Sequence, residues 1–184
     1  MRKNIFNLRT LIALALLAAL GAVFSAFLSI EIVPAGLKVV EISLTPVPVM
    51  LAGVLFGPLA GGLVGFVADT AGFFMGPQAG AYNPAFSVTM ALFGIIAGLF
   101  FFKSQKNTAW RMTTMAVAAQ VVCSVILNTA FLCIFYPSVF TLFAILPMRA
   151  VSALIELPVY SWLLMVLTEA LNPIVNRSFR PQTT

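Results

Sequence analysis

Asp69, Arg149 and Glu156 each fall inside a long apolar stretch, where an ionisable group is costly unless it is paired, hydrated or turned toward a solute. Gln120, Ser124 and Asn128 follow one another at four-residue steps, which on a helix is a polar stripe on an otherwise apolar cylinder. Tyr82, Asn83, Phe86, Ser87 and Thr89 cluster where another apolar run begins. Amides, hydroxyls and a rigid guanidinium fork hold a solute by hydrogen bonds, and the fork of Arg149 suits a ligand carboxylate or the edge of a flat heterocycle. Covalent catalysis lacks its usual parts. Histidine is absent, so Ser43, Ser87, Ser124 and Ser152 have no histidine base, and a serine–lysine dyad would need Lys38, which lies in a loop. The sequence contains neither a Gly-x-x-x-x-Gly-Lys-Ser/Thr loop to cradle ATP phosphates nor a Gly-x-Ser-x-Gly elbow. Without histidine, and with Cys123 and Cys133 inside one apolar stretch, no metal site is expected, and no bound cofactor. Two other readings of the charges stand beside ligand binding. One is a small intramembrane enzyme acting on lipid or peptide, with Glu156 and Asp69 as acid and base. The other is a purely structural network, which leaves Arg149 at depth unexplained.

The elements that must position these residues follow from composition. Hydrophobic residues make up 61% of the chain and charged ones 8%, a balance that a water-soluble domain of this size could not cover with polar surface. The bilayer is therefore the expected solvent, and the fold class an all-α membrane protein. Hydropathy, with Gly, Pro and charge as punctuation, places six transmembrane helices in a single membrane domain spanning 1–184, at about 9–30, 43–56, 58–75, 84–102, 109–135 and 142–171. The second and third are divided only at Gly57-Pro58. An unbroken helix from Ile42 to Phe74 would be about 50 Å long, too much for one crossing. The first segment also has features of a secretory signal, with a basic start from Met1 to Arg9 and small residues from Ala22 to Ala26. The class does not depend on that choice. The net charge of +5 comes from Lys and Arg flanking the apolar segments, at the amino terminus, from Lys103 to Arg111, and at Arg177 and Arg180. Topology accounts for them better than nucleic acid does. Basic residues mark the cytoplasmic side, so both termini are expected inside. The loops near 31–42, 75–83 and 136–141, with Glu31, Lys38, Glu41, Gln78, Tyr82, Asn83 and Tyr136, are expected outside.

Counting turns puts Asp69 about 16 Å up the third helix and Arg149 about 10 Å below the outer end of the sixth. An Asp69–Arg149 ion pair at one level follows as an expectation, with Glu156 two turns deeper on the face of Arg149. Small residues four apart, Ala15 and Ala19, Ala18 and Ala22, Gly53 and Gly57, Gly61 and Gly65, Gly94 and Gly98, let helices approach closely in lipid. The alanine pairs could instead face a partner protein.

The stretch Pro48-Val49-Met50-Leu51-Ala52-Gly53-Val54-Leu55-Phe56-Gly57-Pro58, continuing through Ala60-Gly61-Gly62 to Ala68-Asp69-Thr70-Ala71-Gly72, resembles the second and third helices of the substrate-binding S components of energy-coupling factor (ECF) vitamin transporters. Gly76-Pro77 followed by Tyr82-Asn83-Pro84-Ala85-Phe86-Ser87, and Leu146-Pro147-Met148-Arg149 before Leu157-Pro158, are similar to the folate-type branch. The resemblance runs from Leu11 to about Leu167. It implies a non-catalytic, multi-pass subunit of the prokaryotic plasma membrane that binds a vitamin at its outer face with high affinity. Such a subunit docks on a transmembrane coupling protein driven by two ATPases, which use the ATP. It also implies substrate contacts from Arg149, Asn83, Asn128 and Tyr82, stacking by Phe73 and Phe86, an orienting role for Asp69, and a compensating charge from Lys38 or Arg149. Partner docking through an Ala-x-x-x-Ala element falls on Ala15 and Ala19 or on Ala18 and Ala22. The chain departs from the branch at Glu41-Ile42-Ser43-Leu44, where an Arg-Ile-x-Phe-like element is common, and at Ala85, where glycine is usual. A carboxylate at the mouth weakens attraction for folate, so pantothenate, riboflavin or another vitamin stays open beside it.

Overall fold

The computed structural model describes residues 8–32, 40–76, 82–101, 109–135 and 142–179, and their side chains except at 30–32, 40–42, 109, 132–133, 135, 142–150 and 172–179. Helix α1 is Leu8–Phe27. A hairpin of β1 (Ser29–Ile32) and β2 (Val40–Ser43) follows, then α2 (Pro46–Phe56), α3 (Pro58–Met75) and α4 (Pro84–Phe101). Helix α5 comprises Ala109–Ala119, a π-helical stretch Gln120–Leu127, and Asn128–Phe135. Helix α6 is Leu142–Phe179. Three of these helices begin on proline, whose missing N–H is no loss in a first turn and whose φ is already helical.

The break at Gly57-Pro58 is real. Gly57 ends α2 with φ 102°, a backbone conformation that costs glycine nothing, while its N–H still closes the last turn on the Gly53 carbonyl at 2.9 Å. The chain then reverses into α3. The two helices and α4 pack at backbone distance through glycines: a Cβ placed on Gly94 would sit 2.2 Å from the Gly61 carbonyl oxygen, and one on Gly53 would sit 2.2 Å from that of Gly94. In lipid, where hydrophobicity does not drive helices together, such close van der Waals contact does. Helix α3 also packs on α1, and α5 and α6 close the bundle against α2 and α4.

Among the described residues, five helical stretches are long and apolar enough to cross a bilayer: Leu8–Phe27, Pro58–Met75, Pro84–Phe101, Trp110–Phe131 and Val151–Leu171. Helix α2 is not one of them. At eleven residues it is about 16 Å long, half of a hydrocarbon core. Ten of those residues are buried, so α2 lies in the centre of the bundle, where lipid thickness imposes no length on it. Its missing turns are replaced by the non-helical approach Ser43–Thr45, in which Ser43 and Thr45 are buried. Large apolar side chains such as Leu11, Leu16, Leu63, Leu99 and Leu154 point outward, the arrangement of a protein solvated by lipid.

Three boundaries differ from the sequence expectation. Helix α1 stops at Phe27, and the expected loop at 31–42 is flanked and overlapped by an antiparallel hairpin pairing Ser29 with Ser43 and Ile32 with Val40. Helix α6 passes through Pro173 to Phe179. Lys38, Gln78 and Tyr136, and the side chains of Glu31, Glu41 and Arg149, lie outside the described residues.

Candidate functional site

Ser43 enters the bundle as irregular backbone, and such backbone is tolerated at membrane depth only where protein groups satisfy it. Two residues of α6 do so. Glu156 Oε1 accepts the Ser43 N–H at 3.3 Å, and the Tyr160 hydroxyl donates to the Ser43 carbonyl at 2.5 Å. The Ser43 hydroxyl meets Thr45 Oγ1 at 2.6 Å and accepts the Thr45 N–H at 3.1 Å. Helix spacing makes this workable: Ser152, Glu156 and Tyr160 stand four apart, and all three are buried.

Across from α6, the stripe of α5 faces inward as its pattern requires. Gln120 donates through Nε2 to Glu156 Oε2. A four-residue step in an α-helix overshoots one turn by about 40°. The wider π-helical turn through Gln120–Leu127 offsets that drift and keeps Gln120, Ser124 and Asn128 on one face, and such π segments are frequent at functional sites. These residues, with Ser43, Ser152, Glu156 and Tyr160 and the apolar Pro46, Met90 and Phe93, line a cavity of about 50 Å³. Gln120 is 1% exposed, yet among the described residues its Oε1 has no hydrogen-bond partner, and neither has the buried Oδ1 of Asn128.

A second polar cluster joins α3 to α4. The Ser87 hydroxyl donates to Asp69 Oδ2 at 2.6 Å and lies 2.8 Å from the Tyr82 hydroxyl, which in turn lies 3.1 Å from Thr70 Oγ1. The Tyr82 ring packs 5.2 Å from Phe73 and 5.6 Å from Phe74, centroid to centroid. Asn83 caps α4, its Oδ1 accepting the Ala85 N–H at 3.0 Å. Phe86, in the same first turn, is half-buried.

The candidates named from sequence thus divide. Asn128 and Glu156 line the cavity; Asp69, Phe73 and Tyr82 form the α3–α4 cluster; Asn83 serves the helix end. Arg149 lies on α6, three residues before Ser152 and seven before Glu156, and its pairing with Asp69 falls outside the described side chains. Ser43, Met90, Phe93 and Tyr160 were not singled out as ligand candidates. Only the strand-to-helix approach at Ser43, which hydropathy does not reveal, brings the first and last of them together. On α1 the two alanine registers separate: Ala18 and Ala22 are buried, whereas Ala15 and Ala19 are exposed.

This architecture has known relatives. A solved structure described as "Crystal structure of FolT bound with folic acid" superposes with a TM-score of 0.76 at 28% identity, covering 90% of this chain and 97% of that one. Another, "Structure and mechanism of the S component of a bacterial ECF transporter", shares the fold with a TM-score of 0.53 at 19% identity, covering 91% and 97%. In sequence, the chain is 30% identical over 126 residues to the folate transporter FolT of Clostridium novyi (strain NT), covering 68% of this chain and 69% of the relative. The profile of the family described as "ECF transporter, substrate-specific component" matches residues 9–170, and the chain belongs to that family of multi-pass membrane transporter components.

Proposed function

We propose that this chain is the folate-binding S component of an ECF importer. The observation that carries the reading is the match over 90% of the chain to a FolT structure bound with folic acid, in a bundle whose α5 stripe and α6 residues wall a polar cavity. With both termini inside, the hairpin, the Asn83 turn and the start of α6 face outward, and folate enters from that side. Arg149 binds a carboxylate of the ligand, Lys38 adds positive charge at the mouth, and Asn83, Asn128, Tyr82, Phe73 and Phe86 complete the contacts. The chain needs no cofactor. It hands its substrate to a membrane coupling subunit whose two ATPases hydrolyse ATP, and docks through Ala15 and Ala19, the exposed pair on α1.

Purified protein titrated with a vitamin panel tests this. Folic acid or a reduced folate is expected to bind tightly and to change tryptophan or ligand fluorescence, and the chain is expected to copurify with a coupling subunit and ATPases. Tight binding of pantothenate or riboflavin instead would overturn the folate assignment; binding of no vitamin would overturn the function.

A further inference from the structure

Ser87 is 0% exposed in the first turn of α4, and its hydroxyl is the point at which Asp69, Thr70 and Tyr82 meet. A hydroxyl has one proton to give. Ser87 gives its proton to Asp69 Oδ2 at 2.6 Å. In the 2.8 Å contact with Tyr82 it must therefore accept, and Tyr82 is the donor. The Thr70 hydroxyl donates to the Ser87 oxygen at 3.3 Å and lies 3.1 Å from the Tyr82 oxygen. All three hydroxyl protons are thus spent within the cluster, in a chain directed from Tyr82 through Ser87 to Asp69.

This direction limits what Tyr82 can do for a ligand. With its proton committed, the phenol oxygen can only accept, and it cannot hold a carboxylate, which also only accepts. What remains is the ring. Its hydroxyl end is tied to α3 and α4 at once, and its body packs 5.2 Å from Phe73 and 5.6 Å from Phe74. Tyr82 stands in the turn just before the Asn83 cap, where an untied phenol would sample several rotamers. Fixing the ring before binding removes that entropy cost from the binding step.

We infer that Ser87 is a positioning residue for the ligand, acting through Tyr82, an assignment that rests on the folate reading. Enclosed in the bundle, Ser87 contributes by holding the Tyr82 ring where folate packs on it. Asp69 acts one step further back, taking the Ser87 proton and so setting the direction of the chain. If Tyr82 instead bound folate through its hydroxyl, Ser87 would have no part in affinity.

The test combines folic acid titration with fluorine NMR of protein labelled with 3-fluorotyrosine. The chain has three tyrosines, and Tyr82→Phe identifies the resonance of Tyr82. Ser87→Ala should shift and broaden that resonance in the ligand-free protein and weaken folic acid binding by roughly fivefold. Ser87→Thr restores a hydroxyl and should restore both. Tyr82→Phe should weaken binding to a similar extent, and the double variant Ser87→Ala with Tyr82→Phe should lose no more than either alone, because both cut the same chain. Ser87→Cys, of similar size and weak in hydrogen bonding, replaces the alanine variant if that one does not fold, with the same result expected. Wild-type affinity in a folded Ser87→Ala or Ser87→Cys protein, additive losses in the double variant, or a loss that Ser87→Thr does not restore overturns the assignment and leaves the folate reading standing. Failure of wild-type protein to bind folic acid overturns both.

Discussion

Ser43, Glu156 and Tyr160 illustrate how one polar residue in lipid commits others. Once the chain enters the bundle without a helix, the Ser43 N–H and carbonyl need partners, and α6 provides one acceptor and one donor in adjacent turns. Arg149, two turns before Glu156, is assigned to the ligand because its rigid guanidinium fork suits a ligand carboxylate. Arg149→Ala should lower folic acid affinity more than tenfold, or about 1.4 kcal/mol and upward, with thermal stability in detergent nearly unchanged. Unchanged affinity in a folded variant would return Arg149 to the structural network. The site was partly legible in advance because Gln120, Ser124 and Asn128 repeat on an apolar background, and a repeat is a signal. Ser43 has no periodic companion, and although Tyr160 follows Ser152 and Glu156 at four-residue steps, only the chain's path brings it to Ser43. Asn83 is named from sequence as a ligand contact, and the structure uses its Oδ1 as a helix cap.

At the scale of elements, the glycines of α2, α3 and α4 set the distance at which the bundle closes. A Cβ on Gly94 would come 2.2 Å from the Gly61 carbonyl oxygen, and that atom belongs to a helix backbone that cannot swing aside. Gly94→Ala should therefore destabilise the protein by about 1–3 kcal/mol, read as a lower melting temperature in detergent. Leu99→Ala on the exposed face of the same helix should change it far less. An unaltered melting temperature for Gly94→Ala would mean that the helices pack less closely than described. Apolar runs, with the prolines at 58 and 84 marking two helix starts, made most helix positions readable. The length of α2 was hidden because no charge or glycine separates Ser43–Thr45 from the apolar run that follows. The hairpin was hidden because four-residue strands leave little periodicity, and the π-helical turn because it changes hydrogen bonding without changing composition.

For the molecule as a whole, the central question is how a bundle with an apolar exterior presents one surface to a partner and the rest to lipid. Helix α1 offers the means. Its alanines at 18 and 22 are 9% and 3% exposed and let α1 lie close to its neighbours. Ala15 and Ala19 are on the outside, where two small residues one turn apart form a shallow groove that a partner helix can enter. Leucine at either pair keeps helix propensity, so the consequences should differ by face alone. Ala15→Leu with Ala19→Leu should leave melting temperature and folic acid affinity at wild-type values while abolishing copurification with the coupling subunit and vitamin uptake by cells. Ala18→Leu should instead overpack the interior at a cost of about 1–3 kcal/mol, lowering melting temperature before any effect on docking is seen. The contrast separates a docking face from a packing face within one helix turn. Retained copurification by the outer double variant would move the interface to another side of the bundle, with the vitamin site and its chemistry unaffected.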